Sequence, residues 1–274
     1  MPPPRLGIVA GGGDLPRRLV AACQAQGRAV FVLAIEGQCD AQDFAAVPHD
    51  RVRLGAPGRA MRLLHDAGVV EVVLAGRVRR PSLAALQPDW RLLRFLAGQG
   101  GRLGSDDRLV KAIIQAIEEE GFRVVGAGDI LGELVATAGQ LGRYAPTARD
   151  AEDVARGLQI AGAIGRLDIG HAVIVQHGIV LGIEAAEGTD GLIRRCAALR
   201  VDRAGGVLVK VGKVAQDPRA DPPVIGSETV RLAAETGLSG IAIEAGGTLV
   251  VDRATAIAAA DTAGLFLVAV EAPG

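Results

Sequence analysis

Residues 6–20 read LGIVAGGGDLPRRLV. LGIVA is short, apolar and rich in branched side chains, which suits a buried strand. Three glycines and an aspartate follow, and a helical pattern runs from about 15 to 26. Pro16 suits the first turn of that helix, where its missing N–H costs nothing. Strand, glycine turn and helix in succession form one βα unit, and the pattern recurs. AVFVLA (29–34) reads as a second strand, RVRLG (51–55) precedes a short helix at about 57–67, and VVEVVLAG (69–76) reads as another strand. Helices at about 82–97 and 107–120 lead to FRVVGA (122–127). Alternation of this kind predicts a mostly parallel, Rossmann-like sheet covered on both faces.

The second half is also α/β but of mixed type. Residues 136–150 carry Gly and Pro without an apolar period and read as a linker between domains at 1–135 and 151–274. After a helix at about 150–164, HAVIVQHGIVLGIEA (171–185) reads as two antiparallel strands joined by a tight turn at Gln176-His177-Gly178. A helix at 189–199, strand GVLVK (206–210), a helix at about 227–237, strands GIAIEA (240–245) and TLVVD (248–252), a helix to about 263 and strand LFLVAV (265–270) complete it.

The 274 residues are 49% hydrophobic but only 3% aromatic, so Ala, Val, Leu and Ile must fill the cores. A net charge of −1 without long runs of one sign argues against a nucleic-acid surface. Three widely spaced cysteines point to a reducing compartment rather than a disulfide framework. There is no signal-peptide pattern, and no apolar run approaches the roughly 20 residues that span a bilayer. The expectation is a soluble protein, or one resting on a membrane surface.

Several polar clusters sit where strands end. Gly11, Gly12, Gly13 and Asp14 open the first helix, where backbone N–H groups can hold phosphate. The same residues also suit a plain strand–helix turn capped by Asp14. Glu36 follows the second strand, about where an acidic residue meets a ribose, but Pro16 breaks the dinucleotide fingerprint at its third glycine. Gly76, Arg77 and Arg79 follow another strand and could hold phosphate. Gly104-Ser105-Asp106-Asp107 reads as a helix cap or a ligand contact. Glu184, Glu187, Gly188, Thr189 and Asp190 lie between a strand and a helix. There Thr189 can cap, free N–H groups can take phosphate, and Glu187 can ligate a divalent metal. None of the four histidines forms an H-x-x-x-H pair, which argues against histidine-ligated zinc.

The densest cluster is KVGKVAQDPRADPPVIGSET, residues 210–229, which holds two of the three lysines. Lys210 ends a strand and Lys213 lies one short turn on; both suit phosphate. Asp217, Arg219 and Asp221 alternate at spacing two, and Pro218, Pro222 and Pro223 favour an extended backbone on which the three would share a face. Two carboxylates beside three cations fit Mg²⁺-assisted phosphoryl chemistry. A polar loop with mutually paired charges has the same composition.

At these residues the chain resembles the LpxI-type UDP-2,3-diacylglucosamine pyrophosphatases of lipid A synthesis. The matching blocks are IVAGGGDLP (8–16), GSDD (104–107), GIVLGIEAAEGTD (178–190), LVKVGKVAQDPRADPPVIGSET (208–229) and IAIEAG (241–246). Val214-Ala215 departs from the pattern, standing where a Pro-Gly-like turn is expected before Gln216-Asp217. The resemblance implies an N-terminal UDP-binding domain, a C-terminal domain for the acylated sugar phosphate, and an active site between them. It implies Mg²⁺-dependent hydrolysis to UMP and 2,3-diacylglucosamine 1-phosphate by a homodimer, peripheral on the cytoplasmic face of the inner membrane. Asp221 matches the aspartate expected to be essential. With Asp217 it would position metal and water, while Lys210 and Lys213 bind phosphate oxygens. Gln216 and Arg219 would join the substrate contacts. Two other readings compete: an NAD-dependent or other nucleotide-sugar-modifying enzyme, suggested by Glu36 and the glycine loop, and a non-catalytic nucleotide-binding regulator.

Overall fold

The computed structural model describes residues 3–78, 88–90, 106–199, 201, 205–212, 217, 219 and 222–271. The chain divides into two compact units, Met1–Leu131 with Asp217–Asp221, and Gly132–Gln216 with Pro222–Gly274. Both are α/β. The helix expected at 82–97 lies outside the described residues.

In the first unit, β1 (Leu6–Ala10), α1 (Leu15–Ala25), β2 (Val30–Ile35), β3 (His49–Val52), α2 (Pro57–Asp66), β4 (Glu71–Ala75), α3 (Asp106–Glu119), β5 (Arg123–Val124) and α4 (Ala127–Ile130) follow in order. The sheet runs β3-β2-β1-β4-β5 and every neighbouring pair is parallel. The order reverses between β1 and β4, which opens a crevice beyond their carboxyl ends. β2 is buried along its whole length, as a strand covered on both faces must be. Leu33, Val72 and Leu64 pack with Ile114 and Ile117 of α3, which lie three residues apart on one helix face. At the opposite edge, buried Glu71 is held by Arg28 and Arg123.

The second unit contains β6 (Gly139–Gln140), α5 (Ala148–Arg166), β7 (Ala172–Gln176), β8 (Ile179–Ile183), α6 (Gly188–Cys196), β9 (Val207–Lys210), β10 (Val224–Ile225), α7 (Ser227–Glu235), β11 (Gly240–Glu244), β12 (Leu249–Val250), α8 (Arg253–Ala263) and β13 (Phe266–Val270). Its main sheet runs β6-β13-β11-β9-β7-β8; β10 and β12 form a small parallel pair. β13, β11 and β9 are parallel, whereas β6 and β7 run against them and β8 runs against β7. Alternate residues face opposite sides. Ile174 and Leu208 join the core beneath α6, α7 and α8, while Val173 and Val209 meet α5. Gly157 lets α5 close on β9, since a Cβ there would collide with Val209.

The hairpin forms as the spacing predicts. His177 (φ 53°) and Gly178 (φ 73°) both take positive φ, the requirement of a two-residue hairpin turn. Their N–H groups donate to buried Asp153 at 2.9 and 2.6 Å. The stretch 136–150, expected to be a linker, belongs instead to the second unit. Gly139–Gln140 pairs with β13, Leu141 N–H donates to Leu267 (2.9 Å), and Thr147 with Asp150 forms a capping box at the start of α5. Its Gly and Pro mark an edge strand and a helix start.

Candidate active site

Beyond β1 and β4, two loops cross. Gly11 N–H donates to Ala75 (2.8 Å), and Gly12 and Arg77 exchange both backbone hydrogen bonds at 2.8 Å. The crossing is tight enough to require glycine. A Cβ on Gly76 (φ 92°) would lie 2.6 Å from the Gly12 carbonyl oxygen, and one on Gly11 would lie 2.7 Å from that of Arg77. Gly12 also abuts the Gln38 carbonyl. The glycines therefore serve the loop crossing first, and the N–H groups of Gly11 and Gly12 are spent on it. Those of Gly13, Asp14 and Leu15 bond to no described residue and point from the start of α1. Asp14 does not cap that helix with its side chain; its carboxylate pairs with Arg17 (2.9 Å) and Arg18 (2.6 Å). The Arg77 side chain is exposed. An adjoining groove of about 830 Å³ beyond β2 and β3 is lined by Glu36, Gln38, Cys39, Asp40 and Arg51 among others. Cys39 donates its thiol to the Ala10 carbonyl at 3.2 Å.

The corresponding edge of the second sheet is built from side chains. Glu184, 5% exposed, follows β8. One carboxylate oxygen accepts from the Thr189 hydroxyl at 2.7 Å; the other accepts from the His171 N–H at 3.2 Å and lies 3.3 Å from His171 Nε2. Thr189 is thus turned inward and does not cap α6, correcting that expectation. Gly188 (φ 74°) opens the helix and Asp190 sits in its first turn, where a negative charge suits the helix dipole. Glu187 is exposed and accepts from Arg195 at 2.6 Å, and that bond holds its carboxyl below the usual range. So paired, it is a poor metal ligand.

Lys210 departs from its expected reach into a cleft. It is 6% exposed, and Nζ donates to the Val224 carbonyl at 2.8 Å, so the strand end is tied to the start of β10. A buried ammonium must find acceptors, and this one finds a carbonyl fourteen residues on. Glu244, at the end of β11, accepts from Gly212 N–H and makes a second tie.

Asp217 and Arg219 group with the first unit. They do not share one face of an extended ribbon. Arg219 N–H folds back onto Asp217 Oδ1 at 3.0 Å, and the guanidinium grips both carboxylate oxygens at 2.9 and 2.7 Å. An aspartate bonding the backbone two residues on makes a local turn, which here overrides the extension expected from proline. Arg219 also donates to Glu118 of α3 at 2.6 Å. The Arg219 hydrogen bonds hold the Asp217 carboxyl below its usual range. Lys213, Gln216 and Asp221 lie outside the described residues, as do Arg79, Gly104, Ser105 and the side chains of Asp106 and Asp107. Among the described residues, no three His, Cys, Asp or Glu side chains gather as a metal site. The sequence reading missed the His171–Glu184 pair and Glu244.

The LpxI N-terminal domain family matches residues 5–134 and the LpxI C-terminal domain family matches residues 137–268. The UDP-2,3-diacylglucosamine pyrophosphatase LpxI of Caulobacter vibrioides is 41% identical over 275 aligned positions, covering 97% of this chain and 98% of that protein. Among solved structures, an ADP complex of N5-carboxyaminoimidazole ribonucleotide synthetase is 17% identical over 64% of this chain and 33% of that one, with a TM-score of 0.27. A glycinamide-RNase-transformylase T from Mycobacterium tuberculosis is 14% identical over 66% and 44%, with a TM-score of 0.26. Neither superposition is close enough to bear on fold or function. The two family matches, one on each half, and the near full-length relative place the chain in the LpxI family.

Proposed function

We propose that the protein hydrolyses the pyrophosphate bond of UDP-2,3-diacylglucosamine, releasing UMP and 2,3-diacylglucosamine 1-phosphate. The observation that carries this reading is the 41% identity to the Caulobacter pyrophosphatase over 97% of the chain. The geometry supports it. In the first unit, the N–H groups at the start of α1, which bond to no described residue, and the exposed Arg77 flank a Rossmann-ordered crevice suited to a nucleoside diphosphate. In the second, Lys210 donates to the Val224 carbonyl and Glu244 accepts from Gly212 N–H, which fixes described residues on both sides in sequence of Asp221. The same identity supports this reading and not the nicotinamide-dependent or regulatory ones.

Mg²⁺ is the proposed cofactor. It is commonly held by one or two carboxylates together with substrate phosphates, so a closed cage of protein ligands is not required. Asp221 is the proposed ligand. Asp217 as folded is spent on Arg219, and Glu187 on Arg195. When bound, the metal would neutralise phosphate charge. We further propose a homodimer in peripheral contact with the inner membrane; no helix among the described residues is long and apolar enough to cross one.

Incubation of pure protein with UDP-2,3-diacylglucosamine and Mg²⁺ should release UMP, and chelation with EDTA should stop it until Mg²⁺ is restored. Asp221→Asn should keep substrate binding but lose turnover by on the order of 100-fold or more. Near-normal turnover of that variant removes Asp221 from the chemistry. Absence of UMP from the unaltered protein defeats the functional reading itself.

A further inference from the structure

We propose that the second unit holds one acyl chain of the substrate in a groove between α5 and β13, and that Ala151 and Ala155 of α5 set the length of chain it accepts. The inference rests on the hydrolase reading above and adds a specificity to it. The groove has a volume of about 400 Å³ and is lined by Gly, Ala, Pro, Val and Leu alone, from Gly139 of β6 through the first turns of α5 to Val270 at the end of β13. No lining side chain can give or take a hydrogen bond, so a polar ligand would lose its water there without compensation. Nine lining residues also fall short of the roughly 20–30 per side of a stable protein interface, which favours a fatty chain over a second copy of the protein.

The groove follows from how the sheet is covered. One face packs beneath α6, α7 and α8, whereas among the described residues the other has α5 alone, and α5 lies along β7 and β9. β13, two strands beyond β9, meets only the flank of that helix. On this flank Ala151 and Ala155 stand one turn apart and exposed, and larger side chains there would fill the groove. Neighbouring bonds place its two ends. Ala151 follows Asp150, whose carboxylate accepts from the Ser239 hydroxyl at 2.7 Å, just before β11 begins. Val270 pairs with Glu244 at the other end of β11, the residue that accepts from Gly212 N–H. The groove thus leads from the polar edge at Glu244 toward the opposite edge of the sheet. Ala269 pairs with Ile243 and Ile243 with Lys210, so its wall lies two strand spacings, about 10 Å, from Lys210. In 2,3-diacylglucosamine 1-phosphate one acyl group stands on the carbon next to the phosphorylated one. A chain leaving a phosphate at that edge enters the groove at Val270 and runs toward the alanines, Ala155 first and Ala151 about 6 Å deeper.

The test measures steady-state hydrolysis by the full chain of UDP-2,3-diacylglucosamines carrying long or short acyl chains, with unfolding midpoints and oligomeric state recorded in parallel. Ala155→Phe should raise KM for the long-chain substrate on the order of tenfold and leave the short-chain KM within about twofold. Ala155→Leu gives the same reading should the phenylalanine lower the midpoint. Ala151→Phe, which blocks deeper, should penalise only the longest chains. Glu152→Phe, exposed on the same helix but outside the groove, should change neither KM. An Ala155→Phe enzyme that keeps its unfolding midpoint and the unaltered preference between chain lengths overturns the proposal and leaves the hydrolase reading intact. So does a loss independent of chain length that accompanies dissociation of a dimer, which would make the groove a subunit contact. No UMP from the unaltered protein overturns both readings.

Discussion

The two sheets present their carboxyl edges by different means. In the first unit the edge is made of backbone: Gly11, Gly12 and Gly76 let two loops cross within hydrogen-bonding distance, and Arg77 and Glu36 project from it into solvent. In the second unit the edge is made of buried polar side chains, Glu184 and Lys210, each tied to a neighbouring segment. The parallel 3-2-1-4-5 order explains the first, because neighbouring parallel strands deliver their following loops to the same place. The β7–β8 hairpin explains the second. It brings the start of one strand and the end of another to the edge, where side chains must bridge them. An edge made of backbone is broken by adding an atom, whereas one made of side chains is broken by removing them.

The largest effect should therefore come from Gly76→Ala. The new Cβ meets the Gly12 carbonyl oxygen at a φ of 92°, and we expect a loss of about 3–4 kcal/mol, read by urea denaturation. Gly13→Ala is the control: φ is 96° but nothing lies near, so only the cost of the unfavourable φ, about 1–2 kcal/mol, should appear. Equal losses at both sites would dismiss the crossing as the reason for glycine. In the second unit, Glu184→Ala strands the Thr189 hydroxyl and the His171 N–H, and should cost about 2–3 kcal/mol in the same assay. A loss below 1 kcal/mol would mean that water replaces the carboxylate readily.

Arg219→Ala should be smallest, at about 1 kcal/mol, because the pair is partly solvated. Its pH dependence has a definite sign. The Asp217 carboxyl is held below its unfolded value, so the pair stabilises above the unfolded pKa, and that stability is lost as pH falls through the lower folded value. The penalty of Arg219→Ala should be constant near neutrality and shrink in acid. A penalty that grows on acidification would contradict the assignment.

The strands were legible because buried β-structure needs continuous apolar runs, and VFVLAI and AVIVQ cannot be hidden otherwise. The hairpin turn was legible because Gly178 supplies positive φ where few residues can. The edges were harder. Proline near Asp217 suggested extension, but an aspartate that can bond the next-but-one N–H makes a turn instead. Lys210 was placed correctly at a strand end, yet its direction depends on Val224, fourteen residues away, which spacing does not report. The His171–Glu184 pair was harder to read: a bulge between Ile174 and Val175 shifts the hairpin register by one, so that Glu184 meets Ala172 and comes within reach of His171 beside it. Metal-ligand spacing along a single segment does not report a carboxylate that a hairpin brings alongside.

Cys39 gives the first edge a practical use. Cys23 and Cys196 are fully enclosed and Cys39 is only partly so, while burial raises all three thiols above their usual range. In mildly alkaline buffer, a thiol-directed fluorophore should attach to the native protein at one position, on the wall of the groove beside Glu36. Mass spectrometry of the labelled chain should find a single adduct, and two or more would show that the interior thiols open to solvent. The protein thus carries a labelling position of its own on that groove wall, without an engineered cysteine.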